Sequence, residues 1–385
     1  MKVIAEETRF PIYLWLDDIE DGAMAQAKNL AELPFILHHV AIMPDSHQGY
    51  GMPIGGVIAT KGVVIPNAVG VDIGCGMCAV RTSLTYLDID VLKEIVGEIR
   101  NAIPLGFNKH QEMQDEALMP KLDFGSVIPE QYNNARKSLG TLGGGNHFIE
   151  IQKDEDGHIW IMIHSGSRNL GKTVADHHNK IAVKLNEQYF SQIPKKHELA
   201  FLPLDSVEGK DYIMDMNYCV EFALANRKHM MNAVIDIFKS KELGAEFDEI
   251  INIAHNYAKM EHHYGKDVMV HRKGATYAGA GNIGIIPGSQ GSKSYIVRGL
   301  GNHESFNSCS HGAGRKMGRK DAERRLDLEA EVAALDAMGV LHGVRGIHQL
   351  DEAPGAYKDI EVVMENQKDL VEIVHTLTPL AVVKG

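Results

Sequence analysis

Short β-branched segments and long amphipathic segments alternate along this chain without a regular period, and this pattern most restricts the possible folds. Strands are predicted at Gly56–Ile65, Met77–Thr82, Ile159–Ile163, Val268–Val270 and Tyr295–Val297. Helices are predicted at Ile89–Ile103, Leu170–Tyr189, Tyr212–Phe238 and Lys316–Ala337. Because the spacing of strands and helices is irregular, we expect an α+β fold rather than a doubly wound sheet.

The composition predicts one large globular unit that spans residues 1–385. No Pro- or Ser-rich linker and no fixed-period repeat divides the chain, and a hydrophobic fraction of 44% is sufficient for a large core. The first residues lack the apolar run of a signal peptide, and no stretch approaches the roughly 18–20 apolar residues of a membrane span. Four cysteines do not make a disulfide framework in a chain of this length. We therefore expect a cytoplasmic protein with no membrane association.

The net charge of −12 argues against a broad nucleic-acid-binding surface but leaves room for a local basic groove. Two basic stretches occur, His271–Lys273 and Arg315–Arg325. On charge alone, each is interpreted as a solvated loop or helix face.

Candidate metal ligands lie in glycine-rich segments or at the ends of apolar runs. Glycine-rich segments are typical of tight turns and of backbone that lies close to a ligand. The motifs VGVDIGCGM, GTLGGGNHFIE, IHSGSR and AHNY supply, in this order, Asp72 with Cys75, His147, His164 and His255. Five such ligands suit two ions that share a bridging ligand better than one tetrahedral ion. Ligand softness alone would predict zinc.

Each of these motifs also has a purely structural interpretation. The first could be a tight turn around a small buried cysteine, and each histidine could be a packing residue. Cys75 and Cys78 form a Cys-x-x-Cys pair, but the sequence contains no second pair, so a zinc knuckle is not predicted. Sequence spacing leaves the convergence of the five ligands open.

Three further motifs combine small residues with hydroxyl and basic groups that suit a phosphate. The turn Ser165–Arg168 offers hydroxyls and one guanidinium. The loop PGSQGSKS (287–294) lacks the Gly-Lys-Ser/Thr of a Walker A loop. In SHGAGR (310–315), small residues flank His311 before a predicted helix, so we expect an exposed imidazole that could attack phosphorus. The alternative interpretations are ordinary turns at a strand end and at a helix start.

Taken in order, these motifs resemble the RtcB family of RNA-splicing ligases. The match also includes PDSHQGYGMPIGGV (44–57), VHRKGAT (270–276), DEAPGAYKDI (351–360) and the final Val-Val-Lys-Gly. It extends from about Val40 to Gly385, and it is specific because these unusual motifs all occur in the family's order. The resemblance implies a single α+β domain of the family's own architecture, with a central cleft for metal and nucleotide.

The resemblance implies two manganese ions, which the argument from ligand softness does not predict. One ion would be held by Cys75, His147 and His164. The other would be held by Asp72, Cys75 and His255, so that Cys75 bridges the pair. Two such ions could neutralise crowded phosphates and lower the pKa of an attacking hydroxyl.

The resemblance also implies a nucleophile and a nucleotide. His311 would take GMP from GTP, and Asp45 matches a family position needed for activity, with a role that the sequence does not explain. The positions that match guanine-nucleotide contacts are Asn146, Phe148, Glu150, Asn256, Ser289, Ser294, Ala313 and Lys384. The positions that match RNA-phosphate contacts are Arg168, Lys273, Arg315 and Arg319.

The implied reaction joins RNA ends in RNA repair or tRNA splicing. GMP would pass from His311 to an RNA 3′-phosphate, which can come from a 2′,3′-cyclic phosphate, and a 5′-hydroxyl would then expel it. An archease-type activator is a candidate partner. Two other interpretations are a metal-dependent phosphodiesterase that opens cyclic phosphates and a noncatalytic RNA-binding repair protein. His311, Lys384 and the Ser289 loop favour the ligase, because hydrolysis needs no nucleotide carrier.

Overall fold

The computed structural model describes residues 1–241 and 243–385. The strands it describes are β1 (Lys2–Ile4), β2 (Ile12–Leu14), β3 (Ile36–His47), β4 (Ile54–Thr60), β5 (Val63–Val64), β6 (Gly76–Arg81), β7 (Phe148–Asp154), β8 (Ile159–Ser165), β9 (Leu202–Pro203), β10 (Ile251–Ala254), β11 (Asn256–His263), β12 (Lys266–Lys273), β13 (Ala275–Tyr277), β14 (Ile283–Ile286), β15 (Ser294–Gly299), β16 (Ser308–Ser310) and β17 (Val371–Lys384). The helices are α1 (Asp21–Ala31), α2 (Ile89–Ala102), α3 (Ile128–Ser138), α4 (Asn169–Gln188), α5 (Val207–Ser240), α6 (Arg319–Arg325), α7 (Leu328–Ala337) and α8 (Ile360–Glu365). None of the helices within these two ranges has both the length and the apolar character needed to cross a bilayer.

Two large sheets are built mainly from antiparallel pairs, which confirms the α+β expectation. Sheet A has the order β1-β2-β3-β4-β12-β11, in which β2 and β3 run parallel. Sheet B has the order β10-β6-β8-β7-β17-β15-β14, with antiparallel neighbours. A single residue, His255, separates β10 of sheet B from β11 of sheet A. The chain therefore crosses between the two sheets at a predicted metal ligand.

Helices α2 and α5 cover one face of sheet B. In α2, Leu92, Ile95, Val96 and Ile99 are buried, at the three- and four-residue spacing of one helix face. The 34-residue α5 begins after Ser206, whose side-chain oxygen accepts the Gly209 N–H at 2.9 Å. One core joins these helices to the sheet and includes Val80, Ile95, Ile99, Ile149, Ile161, Ile163, Met230, Val234 and Phe238. This core gives the edge of sheet B a rigid support.

Several predicted elements have different bounds in the structure. The predicted helices at α2, α4 and α5 are confirmed, with α5 longer than expected. The strand expected at Gly56–Ile65 is two strands, β4 and β5, because the chain turns at Gly62 with a φ of +71°. The helix expected at Lys316–Ala337 is also two, α6 and α7. The prediction of one continuous helix was wrong. The Asp327 carboxylate accepts the Ala330 N–H at 2.8 Å and so caps the start of a new helix.

The interpretation of His271–Lys273 as a solvated stretch was wrong. These residues lie in β12, within sheet A, and Arg272 is 0% exposed. Its guanidinium pairs with Glu261 and donates to the Phe306 carbonyl oxygen at 2.8 Å. The buried charge is tolerated because the Glu261 carboxylate, the Phe306 carbonyl oxygen and the Ser308 hydroxyl accept its hydrogen bonds.

Candidate functional site

The candidate ligands lie at one edge of sheet B because neighbouring strands end there in register. Gly76, the first residue of β6, pairs with Ser165 at the end of β8 and with Ala254 at the end of β10. Phe148, the first residue of β7, pairs with Lys384 at the end of β17. Antiparallel pairing thus brings residues that are far apart in sequence to the same edge.

Three of the predicted ligands bring their ligand atoms into one cluster. Cys75 Sγ lies 3.5 Å from His147 Nε2 and 3.3 Å from His164 Nε2. The other nitrogen of each ring faces backbone: His147 Nδ1 lies 3.0 Å from the Leu142 carbonyl oxygen, and His164 Nδ1 lies 3.0 Å from that of Asn146. When each Nδ1–H donates to its carbonyl oxygen, each Nε2 presents a lone pair to the cluster.

Asp72 and His255 extend this cluster on two sides. Asp72 Oδ2 lies 3.1 Å from His147 Nε2. The His255 ring centroid lies 5.2 Å from that of His164, and His255 Nδ1 is buried without a hydrogen-bond partner among the described residues. The structure therefore brings the five predicted ligands together.

The chemistry of this donor set fits divalent cations. Burial lowers the pKa of His164 and of His255 well below the ordinary value, so both imidazoles are neutral and could ligate a cation. Burial raises the pKa of the Cys75 thiol, an effect that a coordinated cation reverses by binding the thiolate. When the His147 proton is on Nδ1, the lone pair on its Nε2 points toward Asp72 Oδ2 and Cys75 Sγ. These three electron-rich atoms repel one another unless a cation lies between them and binds all three.

His311 lies directly beside this cluster. Strand β16 ends at Ser310, and its pairing with Ala275 of β13 sets the His311 ring 4.7 Å from that of His255. His311 Nδ1 lies 2.6 Å from Asp45 Oδ2, which also accepts the His311 backbone N–H at 3.0 Å. Asp45 is 0% exposed near the end of β3. Because the carboxylate accepts the Nδ1 proton, the free lone pair of His311 is on Nε2.

The surroundings of His311 differ from the prediction. Its side chain is only 15% exposed, and α6 begins at Arg319, so no helix starts directly after this histidine. The chain instead turns at Gly314, which has a φ of +73° and where a Cβ would lie 2.0 Å from the Asp45 carbonyl oxygen. Only glycine fits this contact, and the turn holds His311 against Asp45.

Two residues matched to nucleotide contacts, Glu150 and Ser294, are linked through Gln152. Gln152 Nε2 lies 2.6 Å from Glu150 Oε2 and 3.1 Å from Ser294 Oγ. Burial raises the pKa of Glu150 to about 8, against the opposing effect of the nearby Lys384 ammonium. A buried carboxyl group next to a lysine can distinguish donors from acceptors on a nucleobase.

Of the other residues matched to nucleotide contacts, Asn256, Phe148 and Asn146 contact the metal-ligand cluster. Asn256 Nδ2 donates to the Asp72 carbonyl oxygen at 3.0 Å, and the Phe148 ring lies 5.6 Å from that of His164. Asn146 carries the carbonyl that holds His164, as described above. Ser289 Oγ lies 2.9 Å from the Ser292 hydroxyl, and Ala313 is buried in the turn after His311.

Glu352 forms ion pairs with three basic residues that the sequence analysis assigned to nucleotide or RNA phosphate. The sequence analysis gave Glu352 itself no role. This residue is 3% exposed. Its Oε1 lies 3.1 Å from Arg315 Nη1 and 3.2 Å from Arg319 Nη2, and its Oε2 lies 3.3 Å from Lys384 Nζ. The Tyr357 hydroxyl also donates to this carboxylate. Glu352 lies in the DEAPGAYKDI motif, which could have marked it as a candidate site residue. The motif alone does not indicate its ion-pair partners.

The remaining two predicted phosphate contacts, Arg168 and Lys273, differ in their surroundings. Arg168 has a φ of +60° and a ψ of −153°, which is rare for a residue other than glycine, and its Nη2 donates to the Gly106 carbonyl oxygen at 2.8 Å. Lys273 is 4% exposed, and its ammonium donates to the carbonyl oxygens of Tyr50 at 2.5 Å and Asn67 at 3.0 Å. Burial lowers the Lys273 pKa to about 7. Arg168 thus lies at the ligand cluster, whereas Lys273 holds two backbone segments.

Two adjacent residues of α5, Asn226 and Arg227, also escaped the sequence analysis. Asn226 Oδ1 accepts the Gly140 N–H at 2.7 Å, and its Nδ2 donates to the Gly166 carbonyl oxygen at 3.1 Å. Arg227 Nη1 donates to the Gly74 carbonyl oxygen at 2.9 Å. Both residues are 0% exposed and fasten three ligand-bearing segments to one helix. An Asn-Arg pair inside a long predicted helix does not indicate, from sequence alone, that it anchors other segments of the chain.

Comparison with known proteins gives matches along nearly the whole chain. The family model described as "tRNA-splicing ligase RtcB" matches residues 26–126 and 108–385. The RNA-splicing ligase RtcB of Escherichia coli (strain K12) is 41% identical to this chain, over 97% of this chain and 97% of its own length. The tRNA-splicing ligase RtcB of Thermococcus kodakarensis is 32% identical, over 95% and 92% of the two chains. That of Nanoarchaeum equitans is 33% identical, also over 95% and 92%.

Proposed function

The chain belongs to the RtcB family, and on this basis we propose that it is a cytoplasmic, metal-dependent RNA ligase that consumes GTP. It joins an RNA 3′-phosphate or 2′,3′-cyclic phosphate to a 5′-hydroxyl in RNA repair or tRNA splicing. Residues 1–385 act as one ligase unit, since the candidate site draws on residues from Asp45 to Lys384. An archease-type activator is the protein partner that we include in this proposal.

The contact between Asp45 and His311 is the observation that carries the proposal. It holds the imidazole through Nδ1 and leaves the Nε2 atom for attack, next to a cluster of candidate metal ligands, as a nucleophilic histidine requires. Nε2 attacks the α-phosphorus of GTP, the N–P bond forms, and pyrophosphate leaves with the electron pair of the broken P–O bond. The Asp45 carboxylate offsets the positive charge that develops on the imidazole.

The five clustered ligands support a pair of manganese ions. Cys75, His147 and His164 would hold one ion, and Asp72, Cys75 and His255 would hold the other. When bound, the ions supply positive charge that neutralises the phosphates and favours ionisation of an attacking hydroxyl. The unpartnered His255 Nδ1 and the closely spaced lone pairs around Cys75 support this assignment.

Glu150 and Lys384 favour guanine over adenine. Guanine binding favours the ionised form of Glu150, whose carboxylate then accepts hydrogen bonds from the guanine amino group, while the Lys384 ammonium donates to the guanine O6 atom. Adenine carries a donor where guanine carries O6, so it leaves the lysine unpaired. The remaining contacts to the nucleotide come from Asn146, Phe148, Asn256, Ser289, Ser294 and Ala313.

Arginines on two sides of the cluster hold the RNA phosphates. Arg168 lies on the turn after His164, while Arg315 and Arg319 converge on Glu352. The RNA 3′-phosphate takes GMP from His311, and the 5′-hydroxyl of the second RNA then attacks this phosphate and releases GMP. Lys273 acts by fixing backbone near the site, because its ammonium already donates to two carbonyl oxygens.

A joining assay tests the proposal. Purified protein is incubated with one RNA that ends in a 3′-phosphate and a second RNA that begins with a 5′-hydroxyl. We expect a joined product only when both manganese and GTP are present, and none when ATP replaces GTP. Opening of a cyclic phosphate without any joining would favour the phosphodiesterase, and RNA binding without reaction would favour the noncatalytic protein.

A further inference from the structure

Phe107 is an unusually exposed aromatic residue, with a relative exposure of 102%. It lies at the tip of a tight turn in which the Asn108 N–H donates to the Leu105 carbonyl oxygen at 3.1 Å. Gly106, directly before it, has a φ of +62°. Single exposed apolar side chains are common on protein surfaces, so exposure alone does not identify a site. The exposure of Phe107 points to a function because the turn lies next to the candidate site.

The turn contacts three segments of the candidate site. The Gly106 carbonyl oxygen accepts a hydrogen bond from Arg168 Nη2 at 2.8 Å. The Gly106 N–H donates at 3.0 Å to the carbonyl oxygen of Gly143, which belongs to the glycine-rich segment before His147. A Cβ on Gly106 would lie 3.7 Å from the carbonyl carbon of Gly385, the residue after Lys384. Phe107 is therefore presented at the rim of the site.

Further hydrogen bonds fix the chain on both sides of Phe107. The Leu142 N–H donates to the Pro104 carbonyl oxygen at 3.0 Å, before the turn. After the turn, the His110 N–H donates to the Lys137 carbonyl oxygen at 3.0 Å. An anchored turn holds its tip in one direction, which reduces the entropy lost when a ligand stacks on the ring.

Four basic groups lie close to Phe107 along the chain or next to its turn, although the protein as a whole is acidic. Lys109 lies two residues further along the chain, and Arg136 and Lys137 lie in the last turn of α3, next to which His110 is bound. Arg168 adds a fourth basic group at Gly106. Glu112, Asp115 and Glu116 follow in the same segment, and Glu116 pairs with Arg136 at 3.7 Å, so the local charge is mixed. Lys109 and Arg168 are the basic groups that adjoin the Phe107 turn and suit an RNA phosphate beside the exposed ring.

We propose that Phe107 is a stacking platform for the terminal nucleobase of the RNA whose 3′-phosphate is held by Arg168. Single-stranded RNA is commonly bound by bases stacked on aromatic side chains while basic groups hold the backbone. Stacking also tolerates any base, because every base has a π-face. This inference rests on the proposed ligase function and adds a contact for the base to the contacts for the phosphate.

Fluorescence anisotropy with a short RNA tests the inference. The RNA carries phosphates at both ends and GTP is omitted, so binding is measured without reaction. Phe107→Ala should raise the Kd by about tenfold, the size expected when one base loses its aromatic partner. Phe107→Trp should retain the affinity. Because Trp15 and Trp160 are buried, fluorescence quenching of the new indole on RNA binding reports stacking directly.

Phe190→Ala is the matched control. Phe190 is 83% exposed, and it follows the 20-residue α4 that begins after Arg168, which places it about 30 Å away along the helix. This variant should bind RNA like wild type. The inference also predicts that an RNA with an abasic 3′-terminal nucleotide loses the difference between Phe107→Ala and wild type. Equal Kd values for the two proteins on intact RNA would overturn the stacking role, whereas wild-type protein that binds no RNA would overturn the proposed function.

Discussion

His311 Nδ1 lies 2.6 Å from Asp45 Oδ2, although the two residues are 266 positions apart in the sequence. The same carboxylate oxygen accepts the backbone N–H groups of His311 and Gly312. Asp45 therefore holds His311 through both its imidazole ring and its backbone. The Nε2 atom of the ring remains free to react. This contact gives a physical role to Asp45, which the sequence alone could not explain.

Asp45→Asn should slow the transfer of GMP to the protein by about 10²- to 10⁴-fold. An amide in this place can donate to Nδ1, which then holds the lone pair and leaves the proton on Nε2, as in other histidines whose carboxylate partner is lost. The initial rate of labelling by GTP with a labelled α-phosphate measures the effect. Asp248→Asn, at an exposed position, is the control, and a wild-type rate in Asp45→Asn would refute the orienting role.

Glu150→Gln should change how stability depends on pH. Burial raises the Glu150 pKa from 4.5 to about 8, so between these values the folded protein holds a proton that the unfolded chain releases. The wild-type free energy of unfolding should therefore fall relative to that of Glu150→Gln as the pH rises from 4.5 to about 8, by up to a few kcal/mol. Urea unfolding of both metal-free proteins across this range measures the difference. A constant difference across the range would contradict the assignment.

Glu352→Gln should weaken GTP binding and lower the free energy of unfolding by about 1–3 kcal/mol, because it leaves the largely buried Arg315 and Lys384 side chains without their counter-charge. Glu361→Gln is the matched control: Glu361 pairs with Lys293, but both side chains are at least half exposed, and its loss should cost less than about 1 kcal/mol. Urea unfolding and a nucleotide titration measure the two effects. Equal stability of both variants would show that Glu352 does not organise Arg315, Arg319 and Lys384.

Arg168→Ala should slow RNA joining more than it slows labelling of the protein by GTP. The expected difference is about 10- to 100-fold, the size of a lost charge-assisted contact to phosphate. Arg168→Lys should recover only part of the joining rate, because an ammonium cannot form the paired contact of a guanidinium. Separate assays of the two steps measure this difference. An equal loss in both steps would place Arg168 in the nucleotide site instead.

The sequence predicted the candidate site in more detail than the fold. The motifs contain Asp72, Cys75 and the candidate metal-ligand histidines because glycine-rich turns and strand ends retain a recognisable local pattern. The pairing of Phe148 with Lys384 could not be predicted, since antiparallel register between distant strands has no local signal. The same limit applies to Glu352 and Arg227, whose roles arise from partners that only the folded chain brings together.

Covalent labelling of His311 by GMP tests the central claim most directly. Wild-type protein with manganese and GTP labelled at the α-phosphate should acquire a label that is lost in acid and stable in base, as a phosphoramidate is. His311→Ala should acquire no label while it binds as much manganese as wild type, because its side chain is not among the five proposed metal ligands. A label that persists in His311→Ala, or that survives acid, would contradict this account.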